Sequence, residues 1–143
     1  MVTECVLDAS VSLRWVFEDQ ATAATDDLLS RVSVDDVHVP SLWRIEIANA
    51  ITRRFREGGA LADHEALGLI NDLMTLPLVV DEAPDWARVL RIAGYAQLLG
   101  LKVHDATYLE LAIRLNAPLA TLDRRLADAA QRMGVAVLPA ADA

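Results

Sequence analysis

Leu119-Ala120-Thr121-Leu122-Asp123-Arg124-Arg125-Leu126-Ala127-Asp128-Ala129-Ala130-Gln131-Arg132-Met133-Gly134-Val135-Ala136-Val137-Leu138 is the stretch that decides the fold. Residues 119–122 form an apolar run of strand length. Residues 123–133 carry a helical pattern that opens on an acid and stops at Gly134. Residues 135–138 are a second apolar run. Strand, helix and strand in succession predict an α/β fold with a parallel sheet.

The same alternation runs back through the chain. Residues 2–7 predict a strand buried on both faces, followed by a helix over 10–17 that Ser10 can cap. A second helix is expected over 22–31, and a short strand over 37–39 that Pro40 closes. Ser41 can cap a helix running to about Arg56, with Gly58-Gly59 as its stop. Asp63 can cap the next, which carries Leu67, Ile70, Leu73 and Met74 at helical spacing and ends at Pro77. Residues 78–80 are the third strand candidate. Pro84-Asp85 starts a helix to Leu99, stopped by Gly100. Residues 101–103 read as a short strand or a turn, and Asp105 opens a helix to Leu115. The expectation is one α/β domain over residues 1–143, its central sheet mostly parallel, with helices on both faces.

Thirteen basic against 21 acidic residues give a formal charge of −8. Broad adhesion to nucleic acid needs a basic footprint, so that class is disfavoured. A nuclease that holds cations and has local basic patches remains compatible, as does a basic protein partner. The single cysteine, Cys5, allows no intrachain disulfide and sits among apolar neighbours, as core packing does. The start lacks the basic and long apolar regions of a signal peptide, and no stretch has the uncharged length that spans a bilayer. A cytoplasmic protein is expected.

Asp8 ends one apolar run and Asp123 another; Asp105 follows a third, and Glu46 lies inside a helical pattern. Parallel α/β sheets bind ligands outside the carboxyl ends of their strands. Taken singly, Asp8, Asp105 and Asp123 are ordinary helix caps that gain from the helix dipole. Capping does not explain Glu46. Glu46, Asn49 and Arg53 share a helix face, either as a solvated stripe or as a carboxylate aimed at a cleft with Asn49 beside it. Thr121 and Asp123 point to one side of an extended segment, so the hydroxyl can orient the acid or a metal-bound water; a β-branched strand residue is the plain alternative. Carboxylates gathered in a cleft repel one another unless a cation or shared protons relieve them, and hard divalent cations prefer such oxygen ligands.

These residues also carry a resemblance. Val6-Leu7-Asp8-Ala9-Ser10-Val11 resembles the opening motif of PIN-domain ribonucleases. Glu46 with Asn49-Ala50 resembles that family's helical acid motif, and His104-Asp105-Ala106-Thr107-Tyr108-Leu109 with Ala112 its third. Pro118-Leu119-Ala120-Thr121-Leu122-Asp123 with Arg124 resembles its fourth. The four motifs follow in order over nearly the whole chain, most like the VapC toxins of bacterial toxin–antitoxin pairs. The resemblance implies a Mg²⁺- or Mn²⁺-dependent endoribonuclease without a nucleophilic side chain. Asp8, Glu46, Asp105 and Asp123 are the expected catalytic and metal-binding residues, with Asp8 and Asp105 first among direct ligands and Ser10, Asn49 and Thr121 in support. It also implies a DNA-binding antitoxin of the VapB type as partner, and a homodimer, for which apolar helices near 43–51 and 67–76 offer surfaces.

Arg53, Arg54 and Arg56, and again Arg124 and Arg125, follow site acids closely. They are either solvated helix faces or holders of RNA phosphates. His38, His64 and His104 have no metal-ligand spacing with each other or with Cys5. Trp15, Trp43 and Trp86 are expected as core or interface anchors. Three other readings compete. A phosphoacceptor receiver domain shares the layout, but needs paired acids after the first strand and a lysine late in the chain; Asp8 stands alone, and Lys102 is the only lysine. A haloacid dehalogenase-type phosphatase needs a second Asp where Ser10 stands. A PIN-like module that only binds is the non-catalytic alternative, disfavoured by the intact acid set.

Overall fold

The computed structural model describes residues 4–17, 21–57 and 63–139, with the backbone alone at 63 and 64. The strands are β1 (Glu4–Leu7), β2 (Asp36–Val39), β3 (Val79–Val80), β4 (Leu119–Ala120) and β5 (Val137–Leu138). The helices are α1 (Ala9–Val16), α2 (Ala23–Arg31), α3 (Leu42–Glu57), α4 (Asp63–Met74), α5 (Trp86–Leu99), α6 (Val103–Leu115) and α7 (Arg124–Arg132). Every pairing is parallel, in the order β3-β2-β1-β4-β5. The sheet is thus wholly parallel where a mostly parallel one was expected.

That order fixes where a ligand pocket can form. From β1 the chain moves outward through β2 to β3, then returns across the sheet to β4 and continues to β5. Right-handed crossovers put the helices of the two directions on opposite faces. The packing agrees: α1 lies on α2 and α3, and α3 on α4, while α6 lies on α5 and α7. The direction reverses between β1 and β4. In such sheets ligands bind at this reversal, outside the carboxyl ends of the two strands.

The core is built around this seam. Val6, Leu7, Leu119 and Ala120 are buried, as expected for strands covered on both faces. Residues 106–112 of α6 are all buried, and the helix packs on β1 and β4. In α3 the buried positions are Trp43, Ile47 and Ile51, four apart and so one stripe toward the core. Each such side chain contributes roughly 1.5–3 kcal/mol through burial. Glu46 borders the stripe and is half-buried. Cys5 is buried, and burial pushes its thiol up to about 11, in keeping with packing rather than reactivity.

Several local expectations change. Ser10 does not cap α1: Asp8 takes the N-cap position, and the Ser10 hydroxyl turns back to it. Residues 101–103 make no strand, because the Leu101 N–H closes the end of α5 on Ala96 and Val103 already belongs to α6. Asp105 is therefore in the first turn of α6, whose N-cap is Lys102. The fourth strand stops at Ala120, although the Thr121 N–H still reaches the Leu138 carbonyl. Gly100 ends α5 at φ 68°, the left-handed value that a side chain resists. Thr22 caps α2 through a capping box with Thr25. Val2, the Gly58-Gly59 stop and the side chains of Asp63 and His64 lie outside the described residues. Trp43 is a core anchor bonded to Ser12 and Trp15 is half-buried, but Trp86 is 82% exposed and is no core residue. Among the described residues no helix is long and apolar enough to cross a membrane.

Candidate active site

Asp8 stands at the end of β1, where its N–H is fixed to the Ala120 carbonyl of β4 at 2.9 Å. Its carboxylate is 5% exposed. Oδ2 accepts two hydroxyls, from Ser10 at 2.6 Å and from Thr121 at 2.8 Å. Ser10 Oγ also accepts the Leu122 N–H at 3.0 Å, and Thr121 Oγ1 the Asp123 N–H at 3.1 Å. The hydroxyls thus tie the two strand ends together around Asp8. Thr121 serves Asp8, not the Asp123 carboxylate that alternation along the strand pointed to.

Asp123 is a cap and a site neighbour at once. Its Oδ1 accepts the N–H groups of Arg125 at 2.9 Å and Leu126 at 3.2 Å, opening α7. Glu46 comes in from α3, and its Oε1 accepts the hydroxyl of Tyr108 on α6 at 2.6 Å. Asn49, one turn on, is exposed; the hydrogen bond on Glu46 comes from Tyr108 instead. Asp105 lies in the first turn of α6, with His104 Nε2 3.8 Å from its Oδ1.

The electrostatics draw these acids into one place. Burial pushes the Asp8 carboxyl above the ordinary range, the Ser10 and Thr121 hydroxyls pull it down, and the Asp123 charge raises it again. Glu46 is raised by burial, relieved by the Tyr108 bond, and raised further by Asp8 and Asp105. Asp105 is raised by burial, lowered by His104, and raised by Asp123 and Asp8. Asp8, Glu46, Asp105 and Asp123 are thus close enough for their charges to act on one another. Their spacing is not yet a coordination shell: among the described residues no three His, Cys, Asp or Glu side chains converge enough to hold an ion as placed. The donor chemistry fits a hard divalent cation, being oxygen only, with raised carboxyls whose charge a cation would restore.

The arginines divide. Arg124 and Arg125 are exposed in the first turn of α7, directly after Asp123. Arg53 and Arg54 lie two turns beyond Glu46 on α3, lining a cavity of about 300 Å³ with Leu13, Phe17, Ala50 and Glu57. The Arg54 guanidinium sits 4.1 Å over the Phe17 ring. His38 lies in β2 beside Glu4, and His104 is half-exposed at the rim.

Sequence reasoning missed two groups. Tyr108 has no role in the sequence reading beyond its place in the third motif; its spacing of three from Asp105, which sets both on one face, is the available sign. The other is a buried ion network away from the pocket, joining Asp81, Arg88, Glu110 and Arg114 across β3, α5 and α6. Its partners come from separate elements, so spacing along the chain does not reveal it.

A wholly parallel sheet with a reversal of strand order, and acids near the strand ends that flank it, define an α/β protein of the doubly wound class. The chain matches the PIN domain over residues 5–132. It is 30% identical over 123 residues to Ribonuclease VapC12 of Mycobacterium tuberculosis, covering 85% of this chain and 88% of that protein. It is 26% identical over 133 residues to Ribonuclease VapC3 of Pyrobaculum aerophilum, covering 86% and 92%. Among solved structures, PAE2754 from Pyrobaculum aerophilum is similar with a TM-score of 0.71 at 23% identity, over 95% of this chain and 84% of that one. VapBC2 from Rickettsia felis, bound to a DNA fragment from its promoter, is similar with a TM-score of 0.66 at 11% identity, over 94% and 97%. The chain belongs to the PIN-domain family, and within it is similar to the VapC-type ribonucleases.

Proposed function

We propose that this protein is a Mg²⁺- or Mn²⁺-dependent endoribonuclease, the cytoplasmic toxin of a toxin–antitoxin pair, and that Asp8, Glu46, Asp105 and Asp123 form its active site. The observation that carries this is Asp8: a buried carboxylate at the switch point of the sheet, held by two hydroxyls, with its carboxyl raised by burial and by the Asp123 charge. Evolved structures pair buried charge or neutralise it. A divalent cation is the partner that four oxygen-bearing acids would take.

When bound, the cation activates a water for attack on the scissile phosphorus and offsets charge on the leaving oxygen. Asp8 and Asp105 are the direct ligands in this reading, and Glu46 and Asp123 act through water. That division suits the open spacing, since Mg²⁺ keeps several waters and takes one or two carboxylates. Ser10 and Thr121 hold Asp8 Oδ2, leaving Oδ1 as its available oxygen. Asp123 keeps Oδ1 on the helix cap and offers the other oxygen to the pocket. Arg124 and Arg125 stand where an RNA backbone crossing the rim would pass, and Arg53 and Arg54 farther along α3.

The partner proposed is a DNA-binding antitoxin of the VapB type, whose basic groups would meet the acidic rim. The relatives support this, since VapBC2 was solved on promoter DNA. A homodimer is also proposed. Of the faces considered for it, Trp43, Ile47, Ile51 and Leu73 are spent in the core, which leaves Ile45, Leu67 and Met74 exposed.

The test is cleavage of structured RNA with Mn²⁺ by wild type, Asp8→Asn and Asp105→Asn, with and without chelator. Both variants and the chelated wild type should be nearly inactive. Wild-type cleavage by both variants places the chemistry elsewhere.

A further inference from the structure

The phenol of Tyr108 sits where three acid-bearing segments meet. It is 0% exposed, on the same face of α6 as Asp105. Its hydroxyl donates to Glu46 on α3 at 2.6 Å, a short bond of the charge-assisted kind. Its helix also packs on β1, whose end carries Asp8. The ring cannot swing away, because the α6 residues around it are buried. Glu46 itself is half-exposed on a long, flexible stem, so without a fixed partner it would sample several rotamers.

We propose that Tyr108 is a positioning residue, holding Glu46 in register with Asp8 and Asp105 so that the pocket can take its cation. The inference rests on the reading of the acids as a cation site. One oxygen of Glu46 is occupied by the phenol, and the second is left for the ion or its waters. Groups that orient a metal's ligands commonly change affinity by about 10–100-fold when lost.

The test is Mn²⁺ binding to the full chain without RNA, measured by titration calorimetry. Tyr108→Phe keeps the ring and removes the donor, and should raise the Mn²⁺ dissociation constant about tenfold or more. On a Glu46→Gln background the same change should add nothing, because the carboxylate it positions is gone. Affinity within about twofold of wild type overturns the proposal. An equal loss on both backgrounds also overturns it, since Tyr108 would then act on something other than Glu46. Should Tyr108→Phe fail to fold, Glu46→Asp withdraws the acid from an unchanged phenol and must show the same loss; wild-type affinity there overturns the proposal. Asp8→Asn separates the two levels. Mn²⁺ binding indifferent to Asp8→Asn removes the cation pocket and this role together. Loss in Asp8→Asn with none in Tyr108→Phe removes only the role of Tyr108.

Discussion

Two buried groups of acids in this protein meet opposite fates. Asp81 and Glu110 lie under Arg88 and Arg114: Arg114 reaches Asp81 at 2.6 Å and Glu110 at 3.0 Å, and Arg88 reaches Asp81 at 2.8 Å. Burial pushes Asp81 up, but the bonds from the two arginines outweigh it and hold its carboxyl below the usual range. At the pocket the same residue types have hydroxyls and one another for company, and Asp8, Glu46 and Asp105 are all raised. Glu110 is 1% exposed and Asp8 5%, so depth does not separate them. Compensation does. The network fastens α5 and α6 to the edge of the sheet, whereas the acids at the strand ends carry raised carboxyls that an outside cation would relieve under the proposed function.

The contrast is broken most severely by Asp8→Asn, which should lower Mn²⁺-dependent RNA cleavage by about a hundredfold or more. Glu110→Gln should leave the rate per folded molecule near wild type at low temperature. The stability effects run the other way. Glu110→Gln weakens the bonds that Arg114 and Arg88 make to a nearly fully buried carboxylate, while both keep Asp81, and should cost about 2 kcal/mol, roughly 7 °C in melting temperature for a chain of this size. Asp8→Asn in chelator should melt a few degrees higher than wild type, on the order of 1 kcal/mol, since the charge is removed and an acceptor for both hydroxyls remains. A lower melting point in chelator would mean that the pocket acids are compensated after all.

The pH dependence sharpens the same point. The pocket carboxyls are raised above their unfolded values of 3.8 and 4.5, so their contribution is present below those values and is lost as pH rises through the folded ones. Metal-free protein should therefore lose melting temperature as pH rises above about 4.5, and Mn²⁺ should restore it. Asp81 is lowered, so its contribution is lost only as pH falls below the usual carboxylate range. Asp81→Asn should flatten the acid limb alone. The smallest effect expected is at Arg124→Glu: weaker RNA binding, with the salt slope reduced by about one phosphate contact.

Much of the pocket was legible because its makers punctuate the chain. Asp8 and Asp123 each follow an apolar run, and in a parallel sheet that places them on one rim before any coordinates are known. Asp105 was legible as a helix-start acid, although the helix begins two residues earlier because Val103 continues the turn after Gly100. Glu46 was the hardest, since an acid in a helical pattern looks the same whether it faces solvent or a cleft. Only the packing of α3 decides it. Tyr108 and the arginine network stayed hidden for the same reason: each joins elements whose proximity the alternation of strands and helices leaves open.

The hydroxyl that Thr121 lends to Asp8 spans 113 positions of sequence. During synthesis Asp8, Glu46 and Asp105 are all made before β4 exists, and until β4 docks beside β1 the first acid lacks its brace. A chain cut short before Thr121 would keep Asp8, Glu46 and Asp105 but hold the Asp8 carboxylate by the Ser10 hydroxyl alone.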